Sequence, residues 1–385
     1  MTQNTKANIK VLFALTLVHF TGDLYSSFIS PLFPLFIKKM GISLTQVGII
    51  SGMSLFLSFI VQPTVGYLAD RYATRAFILL GLLMPIIFIP LSGLAAGFWG
   101  LLMLVSLGSF GSSMFHPSVT GMVPLYSGNK AGFAMSLFNT GGTLAFGLGP
   151  LFITWYAERF GLNAMPWIII FGLGVIWYLY MIVPVPQSEG LQSLGFLGSV
   201  RESLGSVWKT VICIWLIMVL RAIIGQSFNT FIPVLFVQKG YSIMAAGVII
   251  SIFTVAGSIS GLIAGHISDR MGYKPVFIFT YALMTPALLI FLRLQGNWVY
   301  IGAFIVGALI LATMPLGVAL AQTLAPRGRS MVASLMMGFA VGLGGIISPV
   351  VGKLADLYSI HTVLIGVSFL PLLGLPLIAF FPQKR

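Results

Sequence analysis

Acidic residues are almost absent from this chain of 385 residues: it has 7 Asp and Glu against 20 Lys and Arg, and charged residues make up only 7% of it. A soluble domain carries about 25% charged residues, because a water-facing surface has to be polar. An ordinary cytoplasmic enzyme is therefore excluded. Cysteine occurs once, at Cys213, which rules out an intramolecular disulfide and gives no basis for a cysteine metal site. There is no P-loop spacing, no His-rich cluster and no block of Lys and Arg of the kind a nucleic-acid face needs. The loops are too short for a catalytic domain, so neither a membrane-embedded enzyme nor an ATP-driven pump is favoured, and no metal or cofactor is expected.

What is present is apolar: 58% strongly hydrophobic residues and 44 glycines. The surrounding solvent is a bilayer. Each helical crossing takes roughly 20 apolar residues, and runs of that length predict twelve spans, at 9–37, 45–69, 75–96, 98–124, 130–156, 163–183, 211–237, 244–268, 274–294, 298–325, 328–352 and 361–381. Backbone polar groups in lipid must be satisfied within their own segment, so the expected fold class is an all-α integral membrane protein. The first run is too long for a removable signal peptide and lacks a small-residue cleavage site.

Basic residues set the orientation. Lys6, Lys10, Arg71, Arg75, Lys130, Arg201, Lys209, Arg270, Lys274, Arg327, Arg329, Lys384 and Arg385 fall on one side, and Lys38, Lys39, Arg159, Lys239, Arg293 and Lys353 on the other. The positive-inside bias then puts both termini in the cytoplasm, with Trp99, Trp155 and Trp298 near the outer interface. The one long loop, 184–210, carries Leu194, Leu197, Leu204 and Trp208 beside Arg201, Glu202 and Lys209, a pattern that predicts an amphipathic helix on the cytoplasmic surface. It divides the chain into an N-terminal bundle, 1–183, and a C-terminal bundle, 211–385.

The halves are related. An offset of 199 residues aligns Pro34 with Pro233, Gly41 with Gly240, Gly48 with Gly247, Gly66 with Gly265, Asp70 with Asp269, Arg71 with Arg270, Arg75 with Lys274, Lys130 with Arg329 and Pro150 with Pro349. Scarce charges and turn residues rarely coincide in this way by chance. Six crossings separate the copies, an even number, so the repeat is parallel, with its axis along the membrane normal.

The stretches Gly66-Tyr-Leu-Ala-Asp70-Arg71-Tyr-Ala-Thr-Arg75 and Gly265-His-Ile-Ser-Asp269-Arg270-Met-Gly272-Tyr-Lys274 resemble the cytoplasmic loop motif of the major facilitator superfamily. Twelve spans in two six-helix halves agree with that resemblance. Within it, Ser113-Met-Phe115-His116-Pro117, the run Gly132 to Gly142, Leu148-Gly149-Pro150, His19 with Asp23, and Gly338-Phe-Ala-Val-Gly342-Leu-Gly344-Gly345 are similar to the fosmidomycin-resistance branch. Ser118 stands where that branch often has an acid. Gly147, Gly149 and Pro150 resemble the superfamily's antiporter motif, with Leu151 and Phe152 in place of its later glycines.

Charges at membrane depth mark function, since each costs about 2.5–3.5 kcal/mol at a helix centre on insertion scales. Asp23 lies midway along the first span with His19 one turn before it on the same face. Arg221 lies in span seven and, under the offset, stands beside the position equivalent to Asp23. Asp23 is the expected proton carrier, with His19 as a relay and His116 as a coupling candidate. Arg221, a permanent guanidinium, suits a carboxylate or phosphonate held in a bidentate fork. The alternative for this couple is a mutual Asp23–Arg221 ion pair joining the halves. Gln226, Asn229 and Asn139 are secondary candidates for contacts to substrate.

Asp70, Arg71, Asp269 and Arg270, with Gly66 and Gly265, form expected gating motifs, because an acid at a cytoplasmic helix end does nothing for orientation. Gly338 and Gly342 on span eleven, and Gly149 with Pro150 on span five, are the expected packing and hinge positions. Gly257, Gly261 and Gly265 repeat every four residues on span eight and point to tight static packing. The function read from this pattern and resemblance is export of a small anionic or amphipathic compound by proton antiport in the cell's inner (cytoplasmic) membrane, as a monomer in contact with lipid. Proton symport of an organic anion is the alternative, and a channel is the rival of a different class.

Overall fold

A computed structural model describes residues 7–71, 75–128, 131–185, 207–324 and 335–382. Among them there is no strand, and eleven helical stretches are long and apolar enough to cross a membrane. At the remaining expected position, span five, runs a helix of 30 residues, Ala131–Phe160. The central amphipathic segment falls largely in 186–206, outside the described residues.

The helices are α1 (Ile9–Ser26), α2 (Ile29–Met40), α3 (Leu44–Arg71), α4 (Ala76–Leu91), α5 (Phe98–Tyr126), α6 (Ala131–Phe160), α7 (Ile169–Ile182), α8 (Trp208–Gln238), α9 (Ile243–Met271), α10 (Tyr273–Arg293), α11 (Trp298–Leu324), α12 (Ala340–Ile346), α13 (Ser348–Leu357), α14 (Ile360–Val367) and α15 (Leu370–Ile378). The first span, expected as one helix, is broken between α1 and α2. Pro31 has no N–H to give the Ser27 carbonyl, so the i→i−4 ladder fails there. Ser27 closes the end of α1 with its N–H on Asp23 O and its hydroxyl on Leu24 O. Spans eleven and twelve are broken too, at Ile347 and at Ser368–Phe369, each immediately before a proline turn at Pro349 or Pro371.

Two compact units result. The first takes the described residues of Met1–Ile42 and Leu57–Leu191, and the second takes Ser43–Phe56 with those of Gln192–Arg385. Helix α3 is therefore shared: its first half belongs with the second unit, although its sequence position is in the first repeat.

The duplication read from scarce residues recurs as matching hydrogen bonds inside each unit. Arg75 donates to Tyr180 O at 3.1 Å, and its counterpart Lys274 donates to Ala379 O at 2.6 Å, so both cations cap the carbonyl end of the last helix of their repeat. Lys39 donates to Gly93 O at 2.7 Å and Lys239 to Leu292 O at 2.6 Å, again on carbonyls 199 residues apart. Ser43 caps the amide of Gln46 as Ser242 caps that of Ala245. Gly41 and Gly240 supply the same positive φ, 65° and 91°, after α2 and α8, where a side chain would be strained.

Glycines bring the helices together where their side chains meet. In the first unit a Cβ on Gly81 would lie 2.8 Å from Phe115 N and 3.0 Å from Gly111 O, so α4 and α5 cross backbone to backbone. A Cβ on Gly22 would run into the Phe115 ring. In the second, Gly257 and Gly261 receive Leu311 and Pro315 of α11, the close packing expected there, while Gly265 faces open space. These contacts carry a direct expectation. Gly81→Val should overpack the α4–α5 crossing and destabilise the protein by about 1–3 kcal/mol, read as a lower Tm; an unchanged Tm would show that the crossing is loose.

Candidate functional site

The site is built in the first unit by α1, α5 and α6. His19 and Asp23 share one face of α1, as their i,i+4 spacing requires, and the Phe115 ring seated against Gly22 brings the next residue, His116, to the same place. His19 Nε2 lies 3.1 Å from Asp23 Oδ2, and His116 Nε2 lies 3.1 Å from Asp23 Oδ1. One carboxylate is thus held between two imidazoles. Asp23 is 3% exposed and His19 9%. A Cβ on Gly142 of α6 would lie 2.7 Å from Asp23 Oδ2, so α6 closes directly over the cluster.

The far nitrogens of both rings are committed. His19 Nδ1–H donates to Phe138 O at 2.9 Å and His116 Nδ1–H to Ser112 O at 2.6 Å. A carbonyl oxygen only accepts, so each Nδ1 has to carry its proton. Each ring also lies face to face with a phenylalanine, His19 on Phe138 and His116 on Phe115, both with ring centres 4.2 Å apart. The tautomers and ring planes are therefore fixed, and any proton that comes or goes does so between the two Nε2 atoms and the carboxylate.

Counting those protons gives the chemistry. There are two contacts, and each needs one hydrogen to be a hydrogen bond instead of a meeting of lone pairs. With both Nδ1 atoms protonated, an empty cluster has net charge −1, one shared proton makes it neutral, and two make it +1. The neutral form leaves one contact unmade, at the junction of α1 with α5 or within α1. The +1 form makes both. The three ligand atoms also lie within 4.8 Å of one another, a spacing one metal ion could use, and the contacts of 3.1 Å equally fit N–H···O bonds made by shared protons.

The sequence expectations sort as follows. His19, Asp23 and His116 are brought together, and both oxygens of Asp23 are taken by histidines of its own unit. Arg221 sits in the second unit on α8, 4% exposed, its Nε without a hydrogen-bond partner among the described residues. Tyr281 of α10 is within electrostatic reach of it, and the Tyr281 hydroxyl donates to Ile217 O one turn earlier on α8 at 2.9 Å. Gln226 serves as a tie between helices: its Nε2 donates to Ser51 Oγ at 2.6 Å and Thr230 Oγ1 at 3.1 Å. Asn229 is half-buried and Asn139 exposed. Asp269 and Arg270 are exposed at the end of α9, where Asp269 lines a shallow cavity with Ser268, Gly272, Tyr273 and Thr323. The side chains of Gly66, Asp70 and Arg71 lie outside the described residues. Gly149 packs on Leu24 and Ser27 of α1, Gly342 is buried, and Gly338 faces open space.

Two participants have no signature in the sequence: the carbonyls of Phe138 and Ser112. Asp356 of α13, in the second unit, makes contacts of its own. It accepts from the amides of Leu44 and Thr45, both at 2.8 Å, and from the Thr45 hydroxyl at 2.5 Å. As a lone acid with no acidic counterpart 199 residues earlier, where Ala157 stands, it is not part of the duplicated framework.

Comparison with known proteins adds three findings. The family pattern of the Major Facilitator Superfamily matches residues 15–349. The Fosmidomycin resistance protein of Escherichia coli (strain K12) is 28% identical over 388 residues, covering 100% of this chain and 95% of that protein, and the Multidrug resistance protein MdtG of Proteus mirabilis (strain HI4320) is 26% identical over 75% of each. Among solved structures, a bacterial homologue of the human lysosomal transporter Spinster, crystallised inward-facing and occupied, superposes with a TM-score of 0.80 at 15% identity, over 96% of this chain and 95% of that one.

Proposed function

We propose a transport cycle from one settled premise: this chain belongs to the major facilitator superfamily, and is a multi-pass membrane transporter of small molecules, not an enzyme. The cycle is proton antiport by alternating access, exporting a small anionic or amphipathic compound from the cytoplasm, with both termini on the cytoplasmic side of the inner membrane. The observation that carries it is the buried His19–Asp23–His116 cluster. A fixed pair of Nδ1–H tautomers leaves it two shared protons at most, and the step between one and two makes or breaks a tie at Asp23. The carboxylate needs no ion partner in the second unit, so Arg221 is left to hold an anion. A phosphonate is the first candidate, since a relative with 28% identity is named for fosmidomycin resistance. The proton gradient is the energy source, Asp269 and Arg270 work at the cytoplasmic gate with Asp70 and Arg71, and one chain is the working unit in contact with lipid.

Proteoliposomes with an imposed pH gradient test this. Saturable uptake of a labelled phosphonate against its gradient, abolished by a protonophore and accompanied by counterflow, is the expected result. Flux that neither saturates nor shows counterflow would mean a channel. Substrate moving with the proton instead of against it would turn the reading to symport.

A further inference from the structure

Helix α3 is fastened along its first half to the helices of the second unit, by contacts that the transport reading has not used. At its first turn, the Asp356 carboxylate takes the amides of Leu44 and Thr45 and the Thr45 hydroxyl. Two of the orphan donors that open any helix are thus satisfied by an acid 312 residues away in sequence. Deeper, Ser51 Oγ and Thr230 Oγ1 share a hydrogen at 2.8 Å, with Gln226 bonded to both. Between these ties the two backbones touch. A Cβ on Gly48 would overlap the Ser348 carbonyl, one on Gly52 would lie 2.8 Å from Gly345 O, and one on Gly352 would meet Leu44 and Thr45.

Such a seam has no slack, since its backbones are already in contact. Yet Ser43–Phe56 belongs by sequence to the first repeat, whose remaining helices form the other unit. The ties that hold it are exposed and polar at the end and small-residue in the middle, with the Leu55 side chain seated against Gly345 at the deep end. That is the construction of a contact that has to part. Asp356 is also asymmetric: its counterpart is Ala157, and it adds acceptors to a helix start that Ser43 already caps, as Ser242 caps the equivalent helix α9.

We propose that Asp356 is a latch for the outer gate: its carboxylate holds the first turn of α3 onto α13, and the transport cycle releases it each time the seam opens. This rests on the alternating-access reading above. Ser348 is the natural reporter, 2% exposed with an unpartnered hydroxyl beside Gly48. In a Cys213→Ser background, Ser348→Cys in detergent-purified full chain is reacted with a small charged methanethiosulfonate. Thr154→Cys, fully buried on α6, is the control.

Adding Asp356→Ala should raise the Ser348→Cys rate about tenfold, the size a lost helix cap gives, with Asp356→Asn giving less because it keeps one acceptor. Thr154→Cys should not change. Gly48→Ala, which wedges the seam by a methyl, should act in the same direction. An unaltered rate in Asp356→Ala, or an equal rise at Thr154→Cys showing general loosening, overturns the latch. A Ser348→Cys rate that, with Asp356 intact, neither pH nor phosphonate alters counts against the transport cycle itself, so the two failures are distinguishable.

Discussion

Asp23→Asn is expected to abolish gradient-driven accumulation while leaving exchange intact. The amide is the same size as the carboxylate and neutral: its NH2 donates to one Nε2 while its oxygen faces the lone pair of the other. It therefore imitates the cluster with one shared proton, and a second proton would have to sit on an imidazole with no carboxylate charge to balance it. The effect follows from the energy of the gradient. One pH unit is 1.36 kcal/mol per proton, a factor of about ten in concentration ratio. With the membrane potential clamped to zero by potassium and valinomycin, one proton per substrate across two pH units should give about 100-fold accumulation in the wild type, and a ratio near one in the variant. Counterflow of labelled for unlabelled substrate needs no proton and should persist, which separates lost coupling from lost folding.

His116→Gln offers a check within the same experiment. It keeps Asp23 and His19 but puts a non-titrating amide in place of one imidazole, so the cluster can still carry one proton without using it to make or break the tie of α5 to α1. Accumulation should fall with counterflow again retained. A variant with Asn at position 23 that still accumulates substrate against its gradient would remove the cluster from the mechanism.

The two halves of this site were unequally legible in the sequence. Asp23 and His19 could be read because a charge at membrane depth has few bland explanations and because helical spacing alone puts them on one face. That His116, 93 residues on, faces the same carboxylate is set by a ring seated against Gly22 and by the α4–α5 crossing at Gly81, which are tertiary facts. The carbonyls that fix both tautomers belong to backbone and leave no trace in residue types. Hydropathy placed eleven spans that recur as long apolar helical stretches among the described residues, since span length is imposed by the bilayer, but it treated the first span as one helix: the break at Ser27–Phe28 depends on one missing N–H at Pro31. The repeat was legible because scarce residues align. Asp356 was overlooked for the complementary reason, since a residue outside the repeat is invisible to a search for matches.

Arg221→Met is expected to move affinity and stability in opposite directions. A guanidinium that makes charge-assisted hydrogen bonds to an anion gains about 1.5–3 kcal/mol for each, and a bidentate fork makes two. Losing both should weaken phosphonate binding by at least about 100-fold. In the empty protein the same side chain is a buried cation with an unpartnered Nε, and a buried charge with no ion partner carries a desolvation penalty of several kcal/mol that an apolar chain of similar length does not. The Tm of empty Arg221→Met should thus equal or exceed that of the wild type, while the rise in Tm on adding phosphonate disappears. Arg221→Lys keeps the charge without the planar fork and should bind between the two. A cationic drug should stabilise all three proteins alike if it binds elsewhere. A phosphonate shift that survives in Arg221→Met would show that the anion is held by other groups, and a Tm that falls in the empty variant would show that Arg221 is already paired within the protein.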